Sequence, residues 1–184
     1  IKSHKKTNSN DQFHIVDSDG NRIKNKSIVF DNVVIERYST QLSKSDKAYD
    51  VYRVRGDENA TALFEFFAKN TDVEWSKFSL GEVGNSGLNY ITTGHSENSE
   101  PGVDIYQKQL RYNYTLRSHT HNHPKNIPYP SGLDNRNSGD IGFSKYVETQ
   151  SKQNPIFQIY LPKSDLYINY NSNSIWEDFR YENY

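Results

Sequence analysis

The sequence predicts an α+β fold, a mixed β-sheet flanked by helices. Short β-rich runs recur along the chain, and apolar residues take helical spacing in a few segments between them. One long helix feeds a central hairpin, and another follows a strand that carries histidines. That order suits helices packed on a sheet rather than a bundle or a sandwich. At 184 residues the chain is long enough for one domain with a sizeable core, or one domain plus a small flanking piece.

Residues 1–10 are polar, rich in Lys and Asn, and read as a linker. Residues 12–16 form a short predicted strand that runs into Asp17-Ser18-Asp19-Gly20-Asn21, where Asp-Gly favours a tight turn. The Asp/Asp/Asn spacing there resembles the opening of a calcium loop. The sixth position is Arg22 rather than Gly and no Glu closes the loop, so a turn is expected. Residues 28–36 and 49–55 are further strands.

A helix is expected from Gly56-Asp57-Glu58, with Asp57 as N-cap and Ala62, Leu63, Phe66 and Phe67 on its inward face. Residues 73–80 and 88–93 then pair as a hairpin across the glycine-bearing turn 81–87. A short helix over 103–110 precedes the strand 114–121. A Pro- and Gly-containing loop fills 124–139, residues 140–149 are helical, and two last strands occupy 156–161 and 166–170.

Composition narrows the function classes. Net charge is −1, so charge alone points neither to nucleic acid nor to an anionic membrane. No apolar run is long enough to span a bilayer as a helix. There is no cysteine, so any metal would be held by His and carboxylates. There is no methionine either, which is expected of a C-terminal piece of a larger polypeptide. Fourteen Tyr and nine Phe supply large rings for a core.

The chemistry concentrates at His121-Asn122-His123-Pro124. Alternate strand residues share a face, so His121 and His123 can reach one ion. Pro124 ends the strand just beyond them. His119 lies on the same face and could replace one of the pair, although a buried or supporting place below them suits it better. Ser131 and Asp134 follow closely, adding a hydroxyl and a carboxylate. A hydrolytic site also needs a general base. Glu74, expected at the head of the strand after the aromatic helix, is the first candidate; alternation with Val73 and Trp75 also allows it to face solvent. Glu65 and Glu82 are weaker candidates.

His121-Asn122-His123, seven further residues, and Ser131-Gly132-Leu133-Asp134 resemble the His-x-His-x7-Ser-x-x-Asp motif of the JAMM (MPN+) zinc metalloproteases. The run from Glu74 to Gly81 resembles that family's glutamate-led strand. The segments 64–71, 128–132 and 139–143 look most like the JAB-like toxin domains at the C-termini of bacterial polymorphic toxins, including Rhs-type proteins. This resemblance implies a JAMM/MPN-like sheet with layering like that of the cytidine deaminases. It divides the chain into a linker (1–10), a β-rich N-terminal extension (11–55), a metalloprotease-like domain (56–170) and a C-terminal tail (171–184).

The resemblance further implies zinc held by His121, His123 and an aspartate, with water as the fourth ligand. Glu74 would move the proton of that water, and Ser131 would stabilise the oxyanion. Two aspartates compete for the third position. Asp134 has the motif spacing, but Asn135 to Gly139 would break a helix begun there; Asp140 opens the more credible helix.

A peptide or isopeptide bond of a target-cell protein would be the substrate, a cognate immunity protein the partner, and delivery of a larger secreted toxin the route. A metal-dependent nuclease and a non-catalytic binding module are the alternatives. The nuclease reading lacks a basic patch, and three consecutive residues do not imitate the separated elements of an HNH site.

Overall fold

In the computed structural model, residues 3–6, 11–16, 19–30, 35–40, 49–150 and 154–180 are described. Ten strands and three α-helices lie among them. The strands are β1 (Ser3–Lys6), β2 (Asp11–Val16), β3 (Arg22–Phe30), β4 (Ile35–Thr40), β5 (Tyr49–Arg55), β6 (Ser76–Leu80), β7 (Leu88–Thr93), β8 (Leu116–Asn122), β9 (Ile156–Leu161) and β10 (Leu166–Tyr170). The helices are α1 (Asp57–Asn70), α2 (Gly102–Lys108) and α3 (Gly139–Gln150).

Eight strands make one sheet in the order β1-β4-β5-β7-β6-β8-β9-β10, while β2 and β3 form a separate ribbon. Among the described residues only the β8–β9 pair is parallel, and α3 supplies its crossover. The fold is therefore α+β with a mixed sheet and helices on both faces. β6 is buried at all five positions because it is central and covered on both sides.

Alternation sorts the core into two clusters. Ala60, Leu63, Phe64, Phe67 and Ala68 of α1 pack with Tyr52, Val54, Trp75 and Ile91 on one face. The Phe67 and Trp75 rings stack there, centroids 4.4 Å apart, a contact worth about 1 kcal/mol beyond simple burial. On the other face Phe78, Leu80, Phe157 and Ile159 meet Ile105 and Tyr106 of α2 and Ile141, Phe143 and Val147 of α3. Phe13 of the ribbon joins the α1 cluster through edge contacts with Phe30, Tyr52 and Phe67.

Several expectations shift. Residues 3–6 of the expected linker form the edge strand β1, and the sheet runs across the boundary expected at 55/56, since β5 pairs with both β4 and β7. The strand expected over 28–36 is divided: Phe30 ends β3 and Ile35 starts β4 in a different sheet, with 31–34 outside the described residues. Of the 17–21 turn, residues 17 and 18 are likewise outside them. Residues 176–179 of the expected tail form a 3-10 helix, and Phe179 is buried.

The helix face of α1 is centred on Phe64 rather than on Phe66, which is only partly buried. Its N-cap is Gly56, at φ 88, a conformation that side chains disfavour. Asp57, freed from capping, instead accepts hydrogen bonds from Arg117 (3.0 and 2.8 Å), Gly84 N–H (2.8 Å) and Asn89 (3.0 Å). This locks α1 to β7 and β8 at the end of the sheet away from the histidine pair.

Candidate metal centre

β8 delivers the histidines. His119 and His121 point to the α2/α3 face, where His119 pairs with Phe78 and His121 with Ser76 across β6. His123 follows the strand, its N–H donating to Tyr160 O at 3.0 Å. Pro124 and a turn at Asn126 (φ 63) then take the chain away.

Asp140 lies in the first turn of α3. Its Oδ1 is 3.3 Å from His121 Nε2, its Oδ2 4.0 Å from His123 Nε2, and the two Nε2 atoms are 3.0 Å apart. One ligand atom from each residue lies within 4.8 Å of the others.

Two imidazole nitrogens and a carboxylate oxygen converging this closely fit a metal. Ligands about 2.1 Å from a tetrahedral ion stand roughly 3.3–3.4 Å from one another, close to the His121–Asp140 separation. His123 Nδ1 donates to Ile127 O at 2.8 Å, which leaves its Nε2 lone pair for an ion, as a supporting hydrogen bond does in metal sites. Without an ion, that tautomer makes His121 Nε2 the donor of the 3.0 Å contact.

Ser131 braces the carboxylate. Its N–H and Oγ–H donate to Asp140 Oδ2 at 2.7 and 2.8 Å, and Asp140 N–H donates back to Ser131 Oγ at 3.0 Å. Glycine permits this approach: Gly139 is at φ 61, and a methyl group there would collide with the Ser131 side chain.

Asp134 lies outside the cluster. It is exposed, and its Oδ1 accepts from Trp176 Nε1 at 2.9 Å. The motif spacing pointed to Asp134, but the 131–139 loop folds back and brings Asp140 to the histidines. His119 sits deeper than the pair, its ring 4.5 Å from Phe78 and 5.1 Å from Phe143. Burial depresses its pKa.

Glu74 is in the loop just before β6, not in the strand itself, and it lines the same cleft as His121, His123, Ser131 and Asp140. Its backbone is fixed on every side. Glu74 N–H donates to Ser96 O (2.8 Å) and Thr93 Oγ1 donates to Glu74 O (2.8 Å). Asn122 accepts from Trp75 N–H (2.7 Å) and donates to Val73 O (3.2 Å), bracketing Glu74 from both neighbours. The residue between the two histidines thus faces the opposite way and positions the carboxylate. Nothing in a His-x-His pattern marks that role.

Glu100 also escaped the sequence reading. It is buried in the cleft wall, accepts from Gly102 N–H, and faces His119 Nε2 at 3.7 Å, beyond hydrogen-bond reach.

The electrostatics separate Glu74 from Asp140. Burial lifts Glu74 to about 7, against the opposing charge of His121 and with help from Asp140 and Glu100. Asp140 moves the other way: burial would raise it, but His121 and the Ser131 donors hold it far below the usual carboxylate range. Burial also lowers the imidazoles. For His121 the charges of Asp140, Glu100 and Glu74 more than offset this and raise it to about 9, while His123 falls to about 4 beside the His121 charge. Among the described residues, no helix is long and apolar enough to cross a membrane.

The family described as JAB-like toxin 1 matches residues 52–145, from β5 into α3, with Glu74, His121, His123, Ser131 and Asp140 inside the match. Neither the curated proteins nor the solved structures give a match. The match covers just over half of the chain, and the chain belongs to the JAB-like toxin family.

Proposed function

We propose that this domain is a zinc-dependent peptidase or isopeptidase, the C-terminal effector of a larger secreted bacterial polymorphic toxin of the Rhs type. The observation that carries the reading is the convergence of His121, His123 and Asp140 beside a carboxylate, Glu74, whose pKa is raised toward neutrality. A donor set of two imidazoles and a carboxylate with no thiolate suits a catalytic zinc that keeps one position open. When bound, the ion supplies Lewis-acid polarisation of a carbonyl and acidifies a water.

The protein's own groups do the remaining work. Glu74 in its ionised form takes the proton of the attacking water and returns it to the leaving amine. Asp140 stays ionised, held in place by the N–H and hydroxyl of Ser131. The Ser131 hydroxyl can rotate its proton toward a developing oxyanion while the Ser131 N–H keeps Asp140 aligned. The substrate is a protein of the target cell, and a cognate immunity protein blocks the site in the producer.

The test uses the zinc-loaded chain and its Glu74→Gln variant against a panel of folded and unfolded proteins, with metal content measured in parallel. Wild type is expected to carry one zinc and cleave polypeptide. Glu74→Gln should keep the zinc and lose about 10²–10⁴-fold in rate. Cleavage of DNA or RNA with no proteolysis, or full activity in Glu74→Gln, contradicts the reading.

A further inference from the structure

Next to the metal centre the cleft opens into an apolar pocket that the proposed chemistry does not use. Pro124, Ile127 and Tyr129 form its wall, and Glu74, His123 and Ser131 close its inner end. The last three residues also line the cleft around His121 and Asp140, so the two spaces are continuous. We propose that this pocket is a specificity subsite that takes a large apolar side chain of the polypeptide substrate, beside the scissile bond. The proposal rests on the peptidase reading and deepens it by naming the residue class recognised.

Three observations support that occupant. The first is chemistry: Ile127 and Tyr129 are exposed, 37% and 38%, although they sit together in a concave wall where a ligand could cover them. The second is charge. Lys125 and Glu97 at the rim pair with each other at 3.3 Å, and Lys125 also reaches Asn98, so the rim offers no net charge to attract an ionic side chain.

The third is rigidity, since a pocket that is already formed loses little entropy on binding. The 123–127 turn is closed by Asn126 N–H to His123 O (2.8 Å). It is pinned to the 163–164 turn by Lys163 N–H to Asn126 Oδ1 (3.1 Å) and Asn126 Nδ2 to Ser164 Oγ (3.0 Å). Tyr129 is backed by Trp176, ring centroids 4.9 Å apart, and Asp134 holds that indole. The carbonyl of Ile127 also receives His123 Nδ1–H, so the wall and a metal ligand share one rigid segment.

Binding can be read apart from turnover. The zinc-loaded Glu74→Gln chain, labelled at isoleucine methyl groups, is titrated with capped tripeptides Ac-Ala-Xaa-Ala-NH2 in which Xaa is Leu, Phe, Ala, Asp or Lys. The Leu and Phe peptides are expected to shift the Ile127 methyl resonance saturably, with Kd at least about tenfold below that of the Ala peptide. The Asp and Lys peptides should bind no tighter than Ala. Tyr129→Ala in the same background should erase the preference and keep the zinc. Equal affinity for all five peptides, no shift at Ile127, or preference for Lys or Asp overturns the subsite. Hydrolysis of the same peptides by zinc-loaded wild type is followed separately, with cleavage beside Leu or Phe expected. Apolar-selective binding with no hydrolysis overturns the peptidase reading while upholding the pocket's selectivity.

Discussion

Glu74 and Asp140 are both carboxylates in one cleft, yet their surroundings push them apart. Glu74 is raised because burial removes water and few donors replace it; Asp140 is depressed because it faces His121 and takes two hydrogen bonds from Ser131. A base poised near neutrality beside a carboxylate held ionised is the division of labour that the proposed hydrolysis requires. The same shift makes a stability prediction. The folded-state pKa of Glu74, about 7, lies above its ordinary 4.5, so in the metal-free fold its ionisation is penalised. The penalty is absent below pH 4.5, grows through the window from 4.5 to about 7, and is complete above it. Metal-free Glu74→Gln is therefore expected to exceed wild type in stability above pH 7, by at most about 3 kcal/mol and less with solvent screening, and to converge with it near pH 4. Urea unfolding of both proteins across pH 4–8 measures this; a pH-independent difference contradicts it. A bound dication favours the carboxylate, so in the loaded enzyme the acid limb of activity should fall below pH 7.

At the scale of elements, β8 does two jobs with its two faces. His119 and His121 point toward α2 and α3, while Asn122 points toward α1 and holds the 73–75 loop. Asn122→Ala leaves the Trp75 N–H and the Val73 carbonyl without their partner in a buried setting, at a cost of about 2 kcal/mol. The expected signature is a drop in kcat of more than tenfold with zinc affinity within a few fold of wild type, because Glu74 is displaced and the ligands are not. Unchanged kcat in a folded, zinc-loaded variant would contradict the bracketing role.

What was legible in the sequence divides along the same line. The histidine pair and the break at Pro124 follow from strand period and proline chemistry, and the strands and helices around them follow from local apolar spacing. The third carboxylate was legible only as a choice: helix logic named Asp140, which the structure places with the histidines, while motif spacing named Asp134, because spacing counts residues along the chain. The 131–139 loop, with Gly132 at φ 90 and Gly139 at φ 61, doubles back so that Ser131 meets a residue nine positions later. Glu74's loop setting, the bracket from Asn122 and the buried Glu100 depend on contacts between distant segments, and no local pattern records those.

For the whole molecule, the sheet acts as the rigid frame and the site sits where loops gather at one end of its central strands. β6, β8 and β9 bring Glu74, the histidines and the Tyr160 carbonyl to that end, and α3 adds Asp140 from the layer above. The family match ends within α3, while β9 and β10 extend the sheet beyond it and the 170–180 segment buttresses the pocket wall. Zinc binding by His121, His123 and Asp140 at this end of the frame is the proposal on which the rest depends. It is tested most directly by a crystal of the zinc-loaded chain measured on both sides of the zinc absorption edge. The expected result is one anomalous peak, about 2.0–2.2 Å from His121 Nε2, His123 Nε2 and an Asp140 carboxylate oxygen. A cluster with no anomalous peak in a zinc-saturated crystal, or a peak held by Asp134 instead, would contradict it.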